Sequence, residues 1–113
     1  GSGGFEYSPV SVIPTRSESI ATVTYSELKR GNKFWVSMVD TASGAAQSFE
    51  VLTVVQGLLA ANNESVTWTK TNRIGYDFNG RLDFLLNAPL NQLILKWHNL
   101  EASATVVVSV MRI

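Results

Sequence analysis

The sequence predicts an all-β protein: an antiparallel β-sandwich, jelly-roll-like or immunoglobulin-like, of seven to eight strands. Three observations carry that expectation. Apolar residues alternate with a period of two in five separate segments, as they do on half-buried strands. Turn-forming residues interrupt the chain about every 8–15 residues, the spacing of an antiparallel sandwich or barrel. No stretch of ten residues sustains a 3.6 period, so any helices are short.

Taken in order, Gly1-Ser2-Gly3-Gly4 reads as an expression-tag remnant and residues 5–18 as an N-terminal arm or edge strand. Pro9 and Pro14 set that limit, because proline cannot donate to a strand ladder. Residues 19–113 then form a single sandwich domain. Its first strand is expected near 19–25. The Tyr25–Arg30 stretch after it reads as one helical turn capped by Ser26. The clear strands follow: Phe34, Val36 and Met38 on one face; Phe49, Val51 and Val55; Leu82, Phe84 and Leu86; Leu93, Leu95 and Trp97; and Val106, Val108 and Val110. Two further strands are expected at 65–71 and 73–78. Asn79-Gly80 is the sharpest turn signal, since both residues tolerate the positive φ of a type I′ hairpin. Between Gly57 and Asn63, Leu and Ala offer helix-forming residues without a strand period.

Composition excludes several function classes. Nine Lys/Arg balance nine Asp/Glu, so the basic footprint of a nucleic-acid or membrane-surface binder is missing. Charged residues are only 16%, against roughly 25% in an average chain, and such weak self-repulsion favours association. Without cysteine there is no disulfide framework and no thiolate site, and a lone histidine allows no His-pair metal centre. Apolar runs such as Val106–Val108 fall far short of the roughly 20 residues that span a bilayer. No leader of the secretory kind is expected. Asn63-Glu64-Ser65 matches a glycosylation acceptor but reads as a polar loop.

Catalytic readings fare poorly. His98 follows Trp97 into a polar break and reads as an exposed strand-end histidine rather than a triad base. Asp40, Glu50, Asp77 and Asp83 show no pairing that marks an acid/base couple. The Asp77–Asp83 run fails as a calcium loop, because Gly80 arrives early and Ala88 stands where a bidentate Glu is needed. The scattered glycines open no helix, so no phosphate loop is present. No catalytic residue, cofactor or metal is therefore expected. The aromatics are the better candidates. Trp97 shares a face with Leu93 and Leu95 and belongs to the core. Trp35, Trp68 and Tyr76 are candidates for stacking on a glycan or anchoring a partner, with burial in the core as the competing role for the two tryptophans. Leu58 and Leu59 sit in a polar-flanked insertion and are the candidate self-association residues, the alternative being that they cap an open end of the sandwich.

Read in order, Trp35-Val36-Ser37-Met38-Val39-Asp40-Thr41, Gln47–Val54, Thr69–Phe78, Gly80–Phe84 and the closing Thr105–Ile113 strand resemble a β-rich domain of tailed-phage virion and tail-fibre proteins of the marine and cyanophage kind. The resemblance covers about residues 33–113 and includes no catalytic motif. It implies a non-enzymatic structural or assembly domain located in the virion, as a tail-fibre, neck or capsid-associated component. Its partners would be itself, with a trimer favoured in a fibre, and other virion proteins. The rival reading is a carbohydrate- or receptor-binding β-sandwich module.

Overall fold

The computed structural model describes residues 4–113; most of the tag reading of residues 1–4 lies outside the described residues. Nine strands form two antiparallel sheets. They are β1 (Phe5–Glu6), β2 (Val10–Val12), β3 (Ser17–Thr24), β4 (Gly31–Val39), β5 (Ala46–Gln56), β6 (Ser65–Gly75), β7 (Gly80–Asn87), β8 (Gln92–Asn99) and β9 (Val106–Arg112). The larger sheet runs β1-β9-β4-β5-β6, with β2 continuing the arm along the same edge of β9 as β1. The smaller sheet runs β3-β8-β7. The all-β antiparallel sandwich expected from the alternation is what the chain forms, and the split of the arm into two short strands brings the count to nine.

The period-2 residues meet in one core between the sheets. Phe34, Val36 and Met38 of β4, Phe49, Val51 and Val55 of β5, and Val106, Val108 and Val110 of β9 line the larger sheet's inner face. Leu93, Leu95 and Trp97 of β8 and Leu82 of β7 oppose them. The β4–β5 hairpin closes through Asp40, whose carboxylate accepts from the Ala42 amide (3.0 Å) and the Ser43 hydroxyl (2.9 Å), while Gly44 takes φ +79°. The β7–β8 connection is a single 3-10 turn, Ala88–Leu90, with Pro89 as its second residue, ended by left-handed Asn91. A second such turn, Leu59–Ala61, lies between β5 and β6.

Three local expectations are corrected. The two strands expected at 65–71 and 73–78 are one strand, β6, which continues across a bulge at left-handed Asn72 and stops at Gly75. Asn79-Gly80 is no hairpin. Neither residue has positive φ, and the segment carries the chain from one sheet to the other. Glycine is required at 80 for space instead, because a Cβ there would collide with the Trp97 ring and the His98 carbonyl. Finally, residues Tyr25–Arg30 form a tight loop rather than a helical turn. Ser26 and Lys29 exchange backbone hydrogen bonds (2.9 and 3.2 Å), and the Arg30 guanidinium donates to the carbonyls of Glu27, Val55 and Gly57.

Candidate functional site

Strand register builds a relief on the outer face of the larger sheet. Ser37 of β4 pairs with Ser48 of β5 on one side and Ser109 of β9 on the other, and Ser48 pairs with Ile74 of β6. This row of small residues is a trough. Alongside it, two residues further back in β4, runs the ridge Met111–Trp35–Glu50. On the other side stand Val107, Val39 and Ala46. The result is a shallow groove of about 370 Å³ across the sheet, with Trp35 as one wall and Ile74 at its end. Trp35 is 43% exposed and Ile74 67%. Leu52 and Val54 extend the apolar surface along β5. Lys33 and Glu50 supply the charges of β4 and β5 on this face, and they form an ion pair at 3.5 Å.

The other candidate aromatics lie elsewhere. Trp68 sits on the inner side of β6, at the open edge between the sheets, where its ring meets Phe84 of β7 at 4.8 Å between centroids. The smaller sheet leaves β6 largely uncovered, so Trp68 stays 42% exposed although its ring meets Phe84 at a tilt. Tyr76 lies beyond the end of β6 against Phe78 (4.9 Å), beside the Asp40–Ala45 loop. Trp35, Trp68 and Tyr76 thus occupy three separate places and line no common cavity. Leu58 is exposed, whereas Leu59 packs on the rim of the core.

Every acid singled out in the sequence as a half of a carboxylate pair, apart from Asp77, is engaged locally. Asp40 holds its loop, Asp83 pairs with Arg81 at 3.2 Å, and Glu50 joins Lys33 and accepts from the Asn72 side chain at 2.9 Å. The Asn72 hydrogen bond, helped by the Lys33 charge, holds the Glu50 carboxyl below the usual range. His98, the last residue but one of β8, is half-buried on its outer face and paired with Ser17 and Arg81. Tyr25, by contrast with the exposed aromatics, is 1% exposed. Among the described residues no three His, Asp or Glu side chains gather to hold a metal ion, and no helix is long and apolar enough to cross a membrane.

Two features had no separate signal in the sequence. The serine row joins residues 11 and 72 positions from Ser37, which become neighbours through register alone. Asn99 is wholly buried; its side-chain amide donates to the carbonyls of Val12 and Ala104 (both 2.8 Å) and its oxygen accepts from the Glu101 amide (2.9 Å). It ties the arm, β8 and the loop into β9 together. A polar Asn-Leu-Glu break looks like an ordinary loop until that packing is seen.

The fold and its surfaces define a two-sheet antiparallel β domain with one apolar outer face. No family model matches the chain, and no curated protein matches it. Among solved structures it is similar to the tailspike protein of Acinetobacter phage vB_ApiP_P1, with a TM-score of 0.59 and 11% sequence identity. The match covers 93% of this chain and 21% of the tailspike, so the chain spans about a fifth of that protein's length. At this identity the likeness is one of fold.

Proposed function

We propose that the chain is a non-enzymatic structural domain of a tailed-phage particle, a tail-fibre or tail-spike component in the first instance, which assembles with copies of itself. The observation that carries this reading is the fold likeness to part of a phage tailspike over 93% of the chain. Near-zero net charge and the apolar outer face support the self-association. The engaged acids support the absence of catalysis. Light scattering on the purified chain at roughly 50 μM, well above typical oligomer dissociation constants, tests the reading. A mass of three chains is expected. A two-chain particle keeps self-association and removes the trimer; a single-chain mass overturns self-association.

A second reading, a glycan- or receptor-binding module, draws on Trp35 standing beside a row of serine hydroxyls. Quenching of tryptophan fluorescence by an added oligosaccharide, lost in Trp35→Ala, would favour it.

A further inference from the structure

We infer that the outer face of the larger sheet, centred on Trp35 and the Ser37–Ser48–Ser109 trough, is where a second copy of this chain docks. The inference rests on the self-association reading above and assigns it a surface.

Sheet edges are the usual route to strand-by-strand association, and here they are guarded, the β7 edge by the charged pair Arg81 and Asp83. The arm edge is broken between β1 and β2 at Pro9. β6 carries Lys70, Arg73 and the Asn72 bulge. β3 is bulged between Ser19 and Ala21 and places Glu18 in solvent. The outer face of the smaller sheet carries the Arg81–Asp83 ion pair and Lys96, with Leu85 as its one large exposed apolar side chain. The larger sheet differs from all of these. Its outer face exposes Trp35, Leu52, Val54 and Ile74; its Lys33–Glu50 charges neutralise each other, and Glu6 of β1 stands at its margin beside Met111. That is the apolar, charge-depleted composition of an interface core.

The relief fits a copy of itself. Ridge and trough lie side by side, two residues or about 7 Å apart along the strands. A second face, displaced by that one step, brings its Trp35 ridge over the serine trough while its own trough receives the first ridge. Because the same face meets itself, this contact is two-fold and closes a pair of chains; a three-chain particle would use a further surface. The face is five strands wide by about nine residues long, roughly 700 Å². A stable complex needs about 800 Å² from each partner, so the size is that of an interface and exceeds what one short ligand would cover.

Two variants of the full chain test this. Ser37→Arg fills the trough, and Ile74→Lys places a charge at its end; both side chains face outward, and Ile74 is 67% exposed, so at least this second variant should fold. Each is measured by light scattering across a dilution series, with thermal melting as the control. The expected result is dissociation constants weakened roughly 30-fold or more, as at a hot spot, without loss of the folded monomer. If the wild type associates and both folded variants associate equally well, this face is not the interface, although self-association stands. A wild type that stays single-chain overturns the self-association reading and this inference with it. So does a single-chain wild type whose Trp35 fluorescence is quenched by oligosaccharide, which assigns the groove to a sugar.

Discussion

Tyr25 sits just after β3 with its ring in the core and its hydroxyl buried without a protein hydrogen-bond partner among the described residues. An unpartnered buried hydroxyl costs about 1–3 kcal/mol, so Tyr25→Phe should raise stability, by about 1 kcal/mol once relaxation is allowed for. Burial, and then the Glu64 carboxylate, push the Tyr25 phenol upward, against the opposing charge of Arg30. The neutral phenol is therefore favoured in the folded state. Its contribution is complete below the ordinary tyrosine range near pH 10 and is lost as pH rises through the raised folded value. Thermal melts in steps from neutral to strongly alkaline pH should show this loss in the wild type and a smaller one in Tyr25→Phe. Some loss will remain in the variant, because burial also raises Tyr7, whose hydroxyl donates to the Thr22 carbonyl at 2.8 Å. A variant that melts lower at neutral pH would show that the hydroxyl is satisfied after all. At this scale the sequence was a fair guide to burial where alternation was strict, as for Trp97, and a poor one at strand ends. Tyr25 and Asn99 lie at such ends, and there the packing of a distant segment decides.

β9 is interior to the larger sheet, with β4 on one side and the two arm strands on the other. Its inward valines, Val106, Val108 and Val110, are all buried, and its outward Val107 and Met111 are half-buried. Burying three valines stabilises by about 5–9 kcal/mol, comparable with the whole net stability of a domain, about 5–15 kcal/mol. Deleting residues 105–113 should therefore leave an insoluble chain, read as loss of soluble yield and of the β circular dichroism signal; a folded, soluble truncate would contradict the role assigned to β9. The two-sided apolar pattern of 106–111 made this strand's importance legible in advance. Pairing was less legible. Asn79-Gly80 has the local chemistry of a hairpin turn, yet the strands flanking it belong to different sheets, and Gly80 answers to the Trp97 ring seventeen residues later. Trp68 was ambiguous for a related reason. Alternation marks which side of β6 it occupies but not that the smaller sheet stops short of covering it.

For the molecule as a whole, the alternating pattern established the class of architecture, while sheet membership and the relief of the outer face depended on registers that join distant residues. The register at the arm reaches furthest: Phe5 pairs with Arg112, Glu6 with Met111, then Val10, Ser11 and Val12 with Val108, Val107 and Val106. Both ends of the described chain therefore leave from the same corner. Tension applied between residue 4 and residue 113 would pull perpendicular to this ladder and load its hydrogen bonds one after another, each worth only about 1 kcal/mol net. In a single-molecule pulling experiment the arm should peel away at low force before the sandwich yields. A single high-force rupture of the entire domain would refute this. A chain so attached would give way first like a zipper, letting out a short length of slack while its two-layered body stays folded.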